Sequence, residues 1–525
     1  MAGLDPVSFS CRRPGTVLAF FVVVAVAMGF AARNLELDAL PDVTGNQVVV
    51  LTRAPGLSPL EIEMQVTQVV ELATSALPGV ASQRSTSRYG ISSVTLVFDD
   101  SMGPLEARQV VLEKISALGP ALPAGIPLPE LGPLTGGLGE IFQFTLSSPV
   151  HSGADLLEMA VYDLGPVFRS IPGVVEFNPW GGKERTLDLV VDPNRLTRFG
   201  LTLVDLKSVL RDAIRVAPGA AIETDGAGQV YVRGIQRPET PAALGEVLLR
   251  PARRSGDGID RGESTGPPEH LPVRIRDVAQ VREGHRVRLG AATRDGEGET
   301  LYVMLQMLRG DNALEVARKV NERLDEARAL LPEDVKLTVA YDRSELVLAT
   351  IRTVTENLVL GGLLVVGVLF LLLGSFRAGL LVALVIPFSM LGALAGMVAL
   401  GIPGNLMSLG AIDFGLLVDG AVVTVESFFE RRESNAASWT ERIRQSASQV
   451  AGPVAISVAI IILVYAPILL LTGVDGALFR PMAITVVLAL ATALVLAATV
   501  VPAASVVMLR PKDLPEKEPW LARQI

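Results

Sequence analysis

The stretch Asn405-Leu-Met-Ser-Leu-Gly-Ala-Ile-Asp413-Phe-Gly-Leu-Leu-Val-Asp419-Gly-Ala-Val-Val-Thr-Val-Glu426 decides how the chain is to be read. It is long and apolar enough to cross a bilayer, which takes about 20 residues. It also carries Asp413, Asp419 and Glu426. An acid at mid-bilayer costs about 2.5–3.5 kcal/mol on insertion scales, so it faces a bundle interior or a wet cavity. On one continuous helix Asp419 and Glu426 fall within about 20° of one face and about 10 Å apart, while Asp413 stands about 9 Å from Asp419 and about 120° round. Carboxylates strung along a membrane helix can hand protons across it. They can also serve packing through hydrogen bonds, and Glu426 stands where it can reach the cytoplasmic interface. Gly410, Gly415 and Gly420 recur at equal spacing and admit close helix contact.

Around this stretch the chain is unusually apolar. Half of its 525 residues are hydrophobic and 19% are charged, where a soluble protein runs near a quarter charged. The excess sits in one early segment and in a block after residue 350. Six segments have the length and apolarity of spans: Gly15–Ala32 and roughly 357–376, 378–401, 405–428, 451–473 and 481–509. The first follows Arg12 and Arg13. Its length favours an uncleaved anchor over a signal peptide, whose core is about 7–15 residues. Lys and Arg set the orientation. With the N-terminus inside, the cytoplasmic pieces hold Arg12, Arg13, Arg377, Arg431, Arg432, Arg442, Arg444, Arg510, Lys512, Lys517 and Arg523, and the short outside loops hold Arg480 alone. Both termini are then cytoplasmic, and residues 33–352 form one large extracytoplasmic region.

That region reads as α/β. Gln47–Leu51 alternates as a strand. Ser58, Pro59 and Glu61 spell a capping box with proline in the first helical turn. Strands follow near 80–88 and 91–99, a helix at 104–118, and a further strand at Ile141–Ser147. This is a β-α-β-β-α-β, ferredoxin-like order. A second, interrupted copy starts with a helix at 153–169 and strands near 174–179 and 186–191. Hairpins follow, with a turn at Asp225-Gly226 and a Gly-, Arg- and Pro-rich loop at 252–269. The pattern resumes at 287–308, with a helix at 313–330 and a strand ending near 341. The fold class that follows is a six-span membrane α-helical bundle with a large extracytoplasmic α+β region of ferredoxin-like subdomains and a hairpin-rich insertion. By itself this pattern is equally that of a generic α/β binding domain.

Other features exclude more than they assign. Cys11 is the single cysteine, so the outside region has no internal disulfide and four-thiolate zinc sites are ruled out. His151, His270 and His285 lack metal-motif spacing. A net charge of −9 without a basic, aromatic-laced run argues against nucleic acid. Pro387, Pro467 and Pro502 stand inside spans and predict kinks; Thr499 stands one turn before Pro502. Residues 430–449, with four arginines around Trp439, predict an amphipathic helix on the inner face.

The segment Gly410–Glu426 resembles the fourth-span motif of resistance-nodulation-division efflux pumps, most closely the heavy-metal branch. Leu40-Pro-Asp-Val, Ala54-Pro-Gly-Leu-Ser-Pro, Ser87-Arg-Tyr-Gly-Ile-Ser-Ser-Val-Thr, Gly137-Leu-Gly-Glu-Ile, Tyr341-Asp-Arg-Ser-Glu-Leu and Phe479-Arg-Pro-Met-Ala are similar to further family motifs, in family order along essentially the whole chain. The resemblance implies a proton antiporter of the bacterial inner membrane, not an enzyme, that expels substrate from the periplasm. It implies Asp413, Asp419 and Glu426 as the proton relay. It implies no cofactor, protons as coupling ion, and a divalent metal ion (zinc, cobalt, cadmium or nickel) as substrate. The divalent-metal subgroup resembles this chain in the acid at Asp413, which the copper/silver subgroup typically lacks. It is also similar in the acid of the Gly137–Glu140 motif. Glu140 is thereby a metal contact or, equally, a salt-bridge residue.

In family terms the chain divides into a cytoplasmic N-terminus (1–13), span 1 (14–32), porter subdomain 1 (33–135), the first part of porter subdomain 2 (136–181), a docking subdomain (182–271), the second part of porter subdomain 2 (272–352), spans 2–6 (353–509) and a cytoplasmic tail (510–525). Family members are about twice as long, with twelve spans in two similar halves, and Glu518-Pro-Trp-Leu-Ala-Arg resembles the start of the linker between them. The implied partners are a C-terminal half on another chain, a periplasmic adaptor and an outer-membrane channel, in a trimeric assembly. Two other readings compete: a half-size pump for organic or lipid-like molecules, and an assembly subunit without transport.

Overall fold

The computed structural model of the protein describes residues 6–38, 41–214, 221–224, 228–231, 238–250, 272–288, 290–410, 412–430 and 438–510. Among them, six helices are long and apolar enough to cross a membrane: Pro14–Ala32, Arg343–Leu371, Phe376–Leu400, Leu406–Phe428, Trp439–Leu469 and Gly473–Ala498. They are called the first to sixth spans below. Pro387 and Pro502 interrupt their spans as expected, whereas Pro467 stands inside the continuous Trp439–Leu469 helix. The third is interrupted after Ala383, the residue whose carbonyl Pro387 cannot bond. The sixth is interrupted at Thr499 before a last helix, Val500–Met508. The Thr499 hydroxyl donates to the Val495 carbonyl at 2.5 Å rather than bonding backbone freed by Pro502. The inner-face amphipathic helix is not separate: Trp439 opens one continuous helix through Leu469, capped by Ser438, and residues 431–437 lie outside the described residues. Of the three recurrent glycines only Gly420 serves close packing. A Cβ there would stand 2.9 Å from Val454, whereas one at Gly410 would meet nothing within 4 Å and one at Gly415 only Asp413.

The first α/β unit contains β1 (Asn46–Arg53), β2 (Val80–Arg88), β3 (Ile91–Phe98) and β4 (Glu130–Leu131). All neighbours are antiparallel, in the order β2-β3-β1-β4. Alternation drives one face inward. Val48, Val50, Val94 and Leu96 meet Ile62, Val66, Val70 and Val111 from the two helices. The first helix starts at Pro59 with the Ser58/Glu61 capping box, then widens into a π-turn at Glu63–Thr67.

The second unit repeats this plan. It is built from β5 (Glu140–Ser147) and β6 (Val174–Trp180). The chain then leaves through β7 (Arg185–Val191) and returns through β8 (Ala279–His285), β9 (Glu299–Met307) and β10 (Lys336–Asp342). The sheet order β6-β9-β5-β10 is again all antiparallel and is the same permutation as in the first unit. Its first helix also starts with a capping box, Ser152/Asp155, and also widens into a π-turn, at Met159–Leu164. Phe142, Phe144, Phe168, Phe177 and Val303 fill its core.

Two strand assignments change. The 141–147 strand does not complete the first sheet; that place belongs to the short β4, and β5 opens the second. Nor does 186–191 pair with 174–179. β7 instead pairs along its length with β8, which closes the excursion beyond residue 271. The excursion has its own small core of Leu196, Leu206, Leu244, Ile275 and Val278. Asp225-Gly226 and the 252–269 loop lie outside the described residues. The membrane bundle forms the remaining core.

Candidate functional site

The acidic span is not one continuous helix. It runs from Leu406 to Gly410, and starts again at Phe414. Asp413 stands in the break and accepts a hydrogen bond from the Gly415 N–H at 2.8 Å, the contact of a residue capping a helix N-terminus. The angle of about 120° between Asp413 and Asp419 therefore does not apply, because it assumed an unbroken helix. Asp419 and Glu426 share the Phe414–Glu430 helix and keep their common face.

That face points away from the bundle. Leu417, Val418, Ala421, Val425 and Phe428 are buried in the membrane core. Asp413, Asp419, Val423 and Glu426 are exposed. The nearby hydroxyls do not serve the acids: Thr424 donates to the Gly420 carbonyl at 2.7 Å, and Ser427 to the Thr424 carbonyl at 2.7 Å. Among the described residues no ion pair reaches Asp419 or Glu426. A carboxylate stripe at membrane depth is costly against lipid tails and is favoured against water or a second polar surface.

Glu140, the first residue of β5, lies on the open face of the second sheet. It accepts from the Gln143 amide at 2.9 Å and forms no salt bridge among the described residues. Register shows what the linear sequence hides. Gln306 on β9 stands opposite Glu140 on one side and opposite Glu176 of β6 on the other. Two carboxylates thus flank one amide in a single row across three strands. The next row holds Gln143, Met304 and Asn178. Asn178 donates to Glu176 at 2.6 Å, and Gln306 donates to the Met304 sulfur at 3.4 Å. Burial, and then the Glu140 charge, push the Tyr302 phenol above its ordinary value. This face offers oxygen donors and one thioether. Among the described residues no group of three or more His, Cys, Asp or Glu converges as a metal site, so the row is a partial donor set. His151 is occupied by Asp334 at 3.5 Å.

Reading the sequence singled out Glu140 and missed Glu176. A lone acid in the Val174-Val175-Glu176-Phe177 strand looks like any solvent-facing residue, and only pairing brings it near Glu140. Also missed was Arg343, which is buried and whose guanidinium donates to both oxygens of Asp38, at 2.8 and 2.9 Å. Both stand within motifs noted for the resemblance or beside them, yet nothing local says that they pair.

The family model described as AcrB/AcrD/AcrF family matches residues 6–524. Protein HelA of Legionella pneumophila is 38% identical over 536 residues, covering 99% of this chain and 49% of HelA. The cobalt-zinc-cadmium resistance protein CzcA of Cupriavidus metallidurans is 37% identical, over 92% of this chain and 45% of CzcA. A crystal structure of a heavy metal efflux pump superposes with a TM-score of 0.81 at 32% identity, covering 95% of this chain and 48% of that one. The chain therefore spans about half the length of the relatives it matches.

Proposed function

The chain belongs to the AcrB/AcrD/AcrF family of resistance-nodulation-division transporters, in its heavy-metal efflux branch, and from that premise we propose that it works as the N-terminal half of a proton-driven pump expelling divalent heavy-metal cations from the periplasm. Asp413, Asp419 and Glu426 relay the protons. Each carboxylate is neutral when protonated and charged when not, so the stripe converts proton traffic into a changing charge on the helix. Glu140 and Glu176 contribute oxygen ligands to the cation, which suits zinc, cobalt, cadmium or nickel more than a monovalent soft ion. Met304 can assist.

The observation that carries the reading is the outward acid stripe. A half-bundle with charges on its open side is complete only when a second six-span unit covers them, and that unit would supply the basic relay partner and the remaining ligands. The division into porter subdomains (33–135, and 136–181 with 272–352) and a docking subdomain (182–271) goes with this reading. So do an inner-membrane location with cytoplasmic termini, a trimeric assembly, a periplasmic adaptor and an outer-membrane channel.

The test is zinc and cobalt tolerance in cells producing the chain together with its second half. Asp419→Asn, which keeps the shape and removes the titration, should lower tolerance to that of cells lacking the chain. Unchanged tolerance would contradict the relay.

A further inference from the structure

Between the Glu140 row and the acidic span runs an unbroken series of bonded contacts. Leu138 lies two residues before Glu140, and its carbonyl accepts from Arg343 Nη1. Gly139 anchors the same loop to the end of β9, accepting from the Met307 N–H at 2.8 Å. Arg343 begins the second span, is 3% exposed, and grips Asp38 with Nη2 and, at 3.2 Å, with Nε. Asp38 lies just beyond the first span. Its own backbone N–H donates to the Gly404 carbonyl at 3.0 Å, and Gly404 N–H donates back to Glu36 at 2.8 Å. The approach is close: a Cβ at Gly404 would stand 2.9 Å from a Leu35 methyl and 3.0 Å from a Leu37 methyl. The next residue, Asn405, is buried and caps the first turn of the acidic span: Ser408 N–H donates to Asn405 Oδ1 at 2.8 Å, and Asn405 N–H to Ser408 Oγ at 3.0 Å.

The geometry supports more than static support. A cavity of about 170 Å³ adjoins this series, with Asp38, Leu138, Gly139 and Asn405 in its wall. Asn405 Nδ2 is buried there without an acceptor among the described residues. A buried amide donor left unmade is costly, and room beside it allows a second arrangement that satisfies it. Arginine suits the hub because its planar fork can hold one carboxylate with two edges while a third N–H reaches a carbonyl.

We propose that Arg343 is a positioning residue that holds the Leu138–Glu140 loop to the entry of the acidic span, so that cation occupancy on the second sheet and protonation of the stripe bias one another. This rests on the pump reading above. Linkage makes the bias reciprocal.

The test uses the complete pump, this chain with its second half, in sealed vesicles. Zinc binding is measured by calorimetry and zinc-stimulated proton flux by a pH-sensitive dye. Asp38→Ala with Arg343→Met removes both charges together, which leaves no buried unpaired ion. The double variant should bind zinc within about twofold of wild type yet lose about tenfold in zinc-stimulated flux, equivalent to about 1.4 kcal/mol on the barrier. Arg343→Lys, which keeps the charge but not the fork, should behave likewise and serves if the double variant does not fold. Flux retained in the folded variants, or flux lost only in step with zinc binding, overturns the proposal. Glu140→Gln separates the two ideas. If it leaves zinc flux intact, the substrate reading fails; if it lowers flux while the Arg343 variants do not, only the positioning role fails.

Discussion

The two α/β units share one plan and differ in chemistry. Both run strand, capped helix with a π-turn, two strands, helix, strand, with the same sheet permutation. On the open face of the first sheet Arg84 stands opposite Thr95, while Arg53 and Arg88 both stand opposite Ile91. On the open face of the second, Glu140 and Glu176 flank Gln306. The inward faces are both apolar, so the outward residues decide which sheet can attract a cation. Fold sets the frame and a few side chains set the task. The ties to the membrane differ too. The first unit touches the sixth span through the exposed Asp100, which accepts from the Gly473 N–H at 3.1 Å. The second is held through the buried Arg343–Asp38 pair.

The largest expected difference lies in those ties. Arg343→Ala leaves Asp38 without its partner in a part-buried site, and breaking a buried pair from one side costs about 3–5 kcal/mol. Asp100→Ala removes an exposed capping contact and should cost below about 1 kcal/mol. Denaturation of detergent-purified protein reads both; equal costs would break the contrast.

Next comes the cation. Glu140→Gln with Glu176→Gln should weaken zinc binding about a hundredfold, from two lost charge-assisted contacts of about 1.5 kcal/mol each. Arg84→Gln with Arg88→Gln on the twin sheet should leave it unchanged in the same calorimetric titration. A comparable loss from both pairs would show that the open faces are not specialised.

The smallest effect should be shared. Ser58→Ala and Ser152→Ala each remove an N-cap and should cost about 1 kcal/mol. The Ser58 backbone and hydroxyl hold Glu61 below its ordinary value, and the Ser152 hydroxyl and backbone do the same for Asp155, with Arg185 adding to it. A lowered folded-state value means that the stabilisation is present above the ordinary carboxylate range and is lost as pH falls through the lowered value. The hydrogen-exchange protection factors of both helices, corrected for the slower intrinsic exchange at lower pH, should therefore fall together on acidification. A change in only one would show that the repeat is not energetic.

Much of this was legible in the sequence. Hydrophobic length gave the spans, and the Ser58-Pro-Leu-Glu61 box gave a helix start that the structure reproduces. Alternation marked 141–147 as a strand but not its sheet, because a period of two says which residues share a face and nothing about partners. The same limit hid Glu176. The break at Asp413 did leave a signal, since an Asp before Phe-Gly can cap a new helix start, but the apolar run around it reads as one span. The Arg343–Asp38 pair joins residues separated by most of the extracytoplasmic region, beyond any local pattern.

In the proposed function, the outward acid stripe is what makes the second sheet part of a pump rather than a metal-binding surface. Zinc-stimulated proton flux in vesicles carrying the complete pump tests this directly. Asp419→Asn should abolish the flux in a protein that still binds zinc; flux that persists at the wild-type rate would contradict the account.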